Sequence, residues 1–293
     1  MLSHAQNGED VVLNRAFKGQ ASGFYIDIGA WDPDICSVTK HFYDLGWRGV
    51  NIEPVEGVYQ KLASARPHDI NLSVAVGNRP NGKAKFVEYQ TEGLSGFAES
   101  LFHDNIVAAG WGTIARTFDV EVISLAAIAQ EHAPHQVDFV KIDVEGAERE
   151  VIESADWKAF RPRVVVVESI VPFTNEPAWD SWEHLMLMAG YEFTLFDGIN
   201  RFYHRAEEPA LKGPLSVPAN VTDGYVTAHV HTLHQRIGEV EATVSRLTGE
   251  LSQMASAREA ALRELTDLKT SIFWRSTGPV RKAVDMLKST RTT

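Results

Sequence analysis

Residues 23–32 read GFYIDIGAWD, an apolar run that meets an acid and then breaks at a glycine. The run is short, bulky and β-branched, as in a strand buried on both faces. Asp27 near its end, then Gly29 and a turn towards a helix, is how open α/β sheets build nucleotide sites at the carboxyl ends of their strands. Gly29 lets the backbone approach a ligand closely. The full Gly-x-Gly-x-x-Gly pattern is absent, because Trp31 stands where it needs its second glycine, and Pro33 follows in the turn. A pyrophosphate would lack its glycine cradle and helix N-terminus, so NAD and FAD are disfavoured.

Outward from this stretch, similar runs recur at Gly49–Ile52, Asn71–Val76, Val137–Ile142 and Val164–Val167. Helix-like segments such as Val38–Leu45 and Gly57–Ala65 lie between them, which predicts parallel strands joined by crossover helices. Glu192–Phe196 and Arg201–His204 flank Asp197–Gly198, a hairpin signal. Ala84–Tyr89 and Thr117–Ile123 alternate more and read as an insertion or extra strands. The expected fold is α/β, a doubly wound Rossmann-like sheet ending in an antiparallel hairpin, over residues 1–205.

Four further acidic residues share the rim marked by Asp27. Glu53 ends VNIEP, where a carboxylate accepts hydrogen bonds from both ribose hydroxyls. Asp143 and Glu145 follow the 137–142 run in KIDVEGAE, and strand alternation would point them the same way. Glu168 ends the VVVV run. Acids at a helix start are also favoured by the helix dipole alone, so the cluster as a set carries more weight than any member.

Residues 206–225 hold three prolines and two glycines without periodicity and read as a linker. Heptads follow over 226–272. The a positions are Val230, Ile237, Val244, Leu251, Arg258, Leu265 and Ile272; d positions include Leu233, Val240, Leu247, Met254 and Leu268. So sustained a register predicts a coiled coil. Branched residues at a, with Arg236 facing Glu241 and Glu264 facing Lys269 across g and e, favour a parallel homo-oligomer. A helix on the order of 70 Å is too long to fold back on one domain of this size. Residues 273–293 form a basic amphipathic tail, in which Phe273, Trp274, Val280, Val284 and Leu287 interleave with Lys and Arg. That pattern suits the headgroup boundary of an anionic membrane, or a cap on the coiled coil.

The chain has 293 residues, 44% hydrophobic and 23% charged, enough for a packed core. Its net charge is −11, yet residues 269–293 carry six basic residues against Asp285 alone, so residues 1–268 carry −16. An acidic body disfavours nucleic acid as a partner. A single cysteine, Cys36, excludes a disulfide framework and fits a reducing compartment. No apolar run reaches 18 residues, and MLSHAQNGED has neither a basic n-region nor an apolar h-region. The expected location is therefore cytoplasmic, peripheral at the inner face of the membrane through the tail.

Taken together and in order, the motifs resemble the FkbM family of S-adenosylmethionine-dependent O-methyltransferases. The resemblance spans roughly residues 3–204: Ser3 with QNGED at 6–10, the Asp27–Asp32 turn, Ser37 and Thr39 before GWRG at 46–49, IEP at 52–54, KIDVEG at 141–146 and NRFY at 200–203. It implies a class I methyltransferase sheet and S-adenosylmethionine as cofactor. It places Asp27, Gly29 and Ala30 against the cofactor's methionine part and Glu53 on its ribose. Asp32, Ser37, Pro54 and Asp143 complete the set, with Gln6 and Glu9 closing over it. A sugar hydroxyl is a poor nucleophile and needs a general base. Asp143 or Glu145 is expected in that role, with Glu168 and His204 as alternatives. No metal ligands are assigned; a divalent cation bridging the acids is left open, since carboxylates alone are a generic signal.

The implied acceptor is a hydroxyl of a lipid-linked surface glycan of the O-antigen or capsule type. The FWRSTGPVR stretch at 273–281 resembles terminal segments of enzymes that build such polymers. Loop 93–112, with Phe97, Phe102 and Trp111, is the expected acceptor wall. From another class, the alternative is a catalytically silent methyltransferase-fold scaffold whose coiled coil recruits polysaccharide-assembly partners.

Overall fold

The computed structural model describes residues 1–79, 82–91, 93–99, 106, 110, 112–171 and 174–289. Phe102 and Trp111 of the expected acceptor loop, and Arg291 of the tail, lie outside the described residues. The chain divides into two compact units, Met1–His229 and Val230–Thr293.

The first unit opens with β1 (Leu2–Ser3), α1 (Glu9–Ala16), β2 (Phe24–Ile28), α2 (Lys40–Asp44), β3 (Arg48–Ile52), α3 (Glu56–Ala65) and β4 (Ile70–Leu72). An excursion follows through β5 (Ala75–Val76), β6 (Lys83–Tyr89), β7 (Ser95–Phe97) and β8 (Ile114–Ile123). The chain then returns by α4 (Leu125–His132), β9 (Phe139–Ile142), α5 (Glu148–Glu153), β10 (Val164–Glu168) and α6 (Glu183–Met188). It closes with β11 (Tyr191–Phe196), β12 (Asn200–Arg205), α7 (Lys212–Leu215) and β13 (Val226–Thr227).

Seven strands form the main sheet in the order β11-β12-β10-β9-β2-β3-β4. The strands from β4 to β10 are parallel, while β12 runs antiparallel to both β10 and β11. The order reverses between β2 and β9, the switch point at which such sheets bind ligands. Parallel central strands with a reversed final pair make this the class I methyltransferase sheet, as the sequence predicts. Its core is apolar on both faces: Ile26, Val50, Val140 and Val165 pack on one, Tyr25, Phe139, Val164 and Val166 on the other.

Two expectations are revised. The 71–76 run is not one strand: β4 pairs with β3, while β5 pairs with β8 in a separate four-stranded sheet ordered β5-β8-β6-β7. Ser73 is the break, and the chain changes sheets there because Val74–Val76 serve the insertion as well as the core. The 206–225 stretch is not free linker either. Leu211 and Leu215 are buried with Val12, Leu13 and Phe17. Arg15 donates to the Pro214 carbonyl at 2.7 Å and pairs with Asp223 at 2.9 Å. The segment leads into β13, which pairs in parallel with β1.

The second unit is α8 (Ala228–Thr270, 43 residues), α9 (Ile272–Ser276) and α10 (Gly278–Ser289). None of the α8 residues is buried. Gly278 begins α10, with Pro279 in its first turn where a missing N–H costs nothing. Arg281 lies 3.6 Å over the Trp274 ring, joining α9 to α10. No helix among the described residues is long and apolar enough to cross a membrane.

Candidate active site

The turn after β2 is held against the turn after β9 with no room to spare. Gly29 has φ +78, and a Cβ there would lie 1.8 Å from the Asp143 carbonyl oxygen. The close approach the glycine permits is thus to the neighbouring turn. The backbone N–H groups of Gly29 and Ala30 donate to the Ile52 carbonyl at 3.0 and 3.2 Å, and that of Asp143 to Ile28 at 3.0 Å. The three strand ends form one continuous floor.

Glu53 is buried at the end of β3. Its two oxygens accept the N–H groups of Val55 at 2.9 Å and Trp31 at 3.3 Å. Burial outweighs these bonds and pushes its carboxyl up to about 7. Asp32 accepts N–H bonds from Asp34 and Ile35, both at 2.8 Å, and pairs with Lys61. Burial raises its carboxyl, but these partners more than offset that and leave it below the ordinary aspartate range.

At the centre of the rim is Lys141, a residue the sequence reading quotes without giving it a task. Its ammonium donates to the Gly29 carbonyl at 2.9 Å and lies 3.1 Å from Asp143 and 3.6 Å from Asp27. Burial alone would depress it; the carboxylates of Asp143 and Asp27 instead raise it above the ordinary lysine range. A lysine inside an otherwise apolar strand (VDFVKI) is the signal that could have found it.

Beyond β9 the chain makes a strained turn, with Glu145 at φ 52 and Gly146 at φ 92. A positive φ at a glutamate is uncommon and must be held by its surroundings. Glu148 holds it, accepting the N–H groups of Gly146 at 3.0 Å and Val144 at 3.3 Å. Burial lifts the Glu148 carboxyl to about 7. The half-buried Glu145 is raised well above the glutamate range by burial and then by Asp143. Glu168 is raised likewise, by burial first and then by Asp143 and Glu145. Asp143 and Glu145 do converge, through this turn rather than by strand alternation.

Beside these turns lies a cavity of about 720 Å³, within the range of cofactor sites. Of the expected residues, Gln6, Gly29, Ala30, Asp32, Glu53, Pro54, Asp143 and Glu145 line it, as does Lys141. The β6–β7 hairpin supplies the far wall through Phe86, Glu88, Gln90, Gly93 and Phe97.

Five expected residues are not brought to the cavity wall. Asp27 turns to Thr39, whose hydroxyl donates to it at 2.7 Å, and reaches the site only through Lys141. The Ser37 hydroxyl accepts from the buried Arg66 at 2.6 Å. Glu9 accepts the Asn7 N–H and the Asn200 amide, each at 2.8 Å, tying the N-terminal segment to the hairpin. Glu168 stands beside Asp143, away from the wall. His204 is misplaced by the sequence reading: because β12 is antiparallel, His204 pairs with Val164 at the amino end of β10, and its Nδ1 meets Thr194 at 2.7 Å. Among the described residues no group of three or more His, Cys, Asp or Glu is arranged to hold a metal ion. The position between Asp27 and Asp143 is taken by the Lys141 ammonium.

Comparison with known proteins adds the family. No curated protein sequence matches the chain significantly. Solved structures with some likeness include the Methanococcus jannaschii fibrillarin pre-rRNA processing protein, at 14% identity and TM-score 0.34 over 68% of this chain and 76% of that one. Others are an O-methyltransferase from Bacillus cereus with SAH (14%, 0.31, 68% and 80%) and O-methyltransferase TomG from Streptomyces achromogenes with SAM (15%, 0.33, 67% and 77%). Likeness at this level carries no argument about the site. The family model for the methyltransferase FkbM domain matches residues 27–193, more than half of the chain, including all of β3 and β9 and the end of β2. The chain belongs to the FkbM methyltransferase family.

Proposed function

We propose that the protein is an O-methyltransferase for a sugar hydroxyl of a bacterial surface glycan, with Glu145 as its general base. The observation that carries this reading is a carboxylate of raised proton affinity, Glu145, lining the same cavity as the ribose-type acceptor Glu53. S-adenosylmethionine, the cofactor of this fold, supplies an electrophilic sulfonium methyl when bound. The residues present fit it. Each Glu53 oxygen accepts one N–H and keeps a lone pair for a ribose hydroxyl. Gly29 and Ala30 floor the methionine end, and Pro54, Val55, Val58, Val74 and Val76 offer apolar surface for the adenine.

The chain's own work is alignment and proton removal. Asp143 is engaged by Lys141, and Glu168 and His204 stand off the wall. Glu145 remains on the wall, its proton affinity raised above an ordinary glutamate's by burial and by Asp143, the direction in which a carboxylate base is tuned. The intact floor speaks against the silent scaffold.

The second unit supports a wider architecture. Its register residues Ile237, Val240, Val244, Leu251 and Met254 are exposed in the single chain. They would be covered in a parallel coiled coil with further copies. The tail exposes Ile272 and Phe273 beside its basic residues, a composition suited to an anionic membrane face. In this arrangement the coiled coil sets the reach of the site over a lipid-linked chain, and methylation of the non-reducing end stops growth.

Three outcomes test the reading. Because Glu53 must shed its proton to receive two hydroxyls, cofactor affinity rises up to about tenfold per pH unit below 7 and levels off above. Calorimetry from pH 5.5 to 8.5 will show this slope, and Glu53→Gln will bind weakly and without it. Glu145→Gln keeps cofactor affinity within about twofold and loses roughly 10²–10⁴ in kcat; unchanged turnover would remove Glu145 from the base role. Mass spectrometry of the surface glycan with and without the gene will show one methyl lost from the non-reducing end, with longer chains. Methyls lost along the chain mean internal decoration, and an unchanged glycan overturns the acceptor.

A further inference from the structure

Trp31 stands where the dinucleotide fingerprint has its second glycine, and the cofactor-binding groups leave its side chain without a task. Its φ is +43, a conformation costly for any side chain and rarer still for a bulky one. Strain of that kind persists where the surroundings impose it, and it concentrates at ligand sites. The backbone serves the cofactor side, since the Trp31 N–H donates to Glu53. The side chain goes the other way. Atoms Cε2, Cζ2 and Nε1 of the indole lie 3.0, 3.2 and 3.4 Å from where a Cβ on Gly93 would be. Gly93, at φ +84 in the β6–β7 loop, is what lets the ring lie against that loop.

Both residues line the cavity, together with Gln90, Thr91 and Glu88. The ring is only half-buried, and among the described residues its Nε1–H donates no hydrogen bond. A partly exposed aromatic face with an open donor at its edge, bordered by polar side chains, matches a ligand with an apolar face and equatorial hydroxyls. A pyranose ring has that shape: axial C–H groups on one face, hydroxyls around the rim.

We infer that Trp31 is the acceptor platform, stacking on the pyranose that receives the methyl and donating from Nε1 to one of its hydroxyls. The inference rests on the glycan reading above and adds to it a specificity-determining side chain. Because Trp31 holds Glu53 through its backbone and the sugar through its ring, one residue joins cofactor and acceptor subsites.

The test uses the full chain, labelled S-adenosylmethionine, and glycan prepared from cells lacking the gene. Trp31→Leu should raise KM for the glycan about tenfold or more and leave cofactor Kd within about twofold. Trp31→Phe, which keeps a face and loses the donor, should fall between. Gly93→Ala, which pushes on the indole without altering it, should raise the same KM. Calorimetric cofactor binding by each variant shows that it is folded. An unchanged KM in Trp31→Leu, or a cofactor Kd that rises as much as KM, overturns the platform while the methyltransferase reading stands. A wild-type enzyme that binds cofactor and does not methylate the glycan overturns both.

Discussion

One buried ammonium organises the site. Lys141 sits inside a parallel strand whose neighbours are Val140 and Ile142, where an uncompensated charge would cost several kcal/mol. It is tolerated because two carboxylates and a carbonyl converge on it from three segments. Asp27 comes from β2, Asp143 from the turn after β9, and the Gly29 carbonyl from the turn after β2. The same contacts that neutralise the lysine fix the spacing of the two turns, and Gly29 makes that spacing attainable at the Asp143 carbonyl. The floor is therefore an electrostatic knot before it is a binding surface.

From that knot the acids acquire different tasks. Asp27 is turned inward, held by Thr39, which in turn accepts from Arg66 at 2.6 Å. Asp143 is engaged by the ammonium and presses its negative charge on Glu145 and Glu168. Glu148 is committed to the strained turn. Glu53 is set apart on β3 with two N–H donors. Four acids that look alike along the chain thus become a counter-ion, a field source, a buckle and a carboxylate set by two N–H donors, according to what each one touches.

Much of the fold was legible because strands buried on both faces must be apolar throughout, and GFYIDI, VDFVKI and VVVV declare themselves. The 71–76 run defeated the reading because strand periodicity does not register a change of sheet at Ser73. The 206–225 segment did so because prolines and glycines hide two anchoring leucines, Leu211 and Leu215, in a short helical turn. The site was legible as a set of motif positions and less so as roles. His204 was assignable to the wrong end from the hairpin's sense alone, since the second strand of an antiparallel pair beside β10 must finish at its amino edge. Lys141 was visible as a charge in an apolar run, but its meaning depends on Asp27 lying opposite it in the adjacent strand, which pairing alone reveals.

The measurement closest to the central claim is a double-mutant cycle on Lys141 and Asp27, read by denaturant unfolding of the full chain. Lys141→Met alone leaves buried carboxylates unpaired and should cost about 3–5 kcal/mol. Adding Asp27→Asn removes one of those charges and should restore a large part of the loss, giving a coupling above about 1 kcal/mol. A single variant as stable as the wild type, or a double variant no better than the single, would contradict the account.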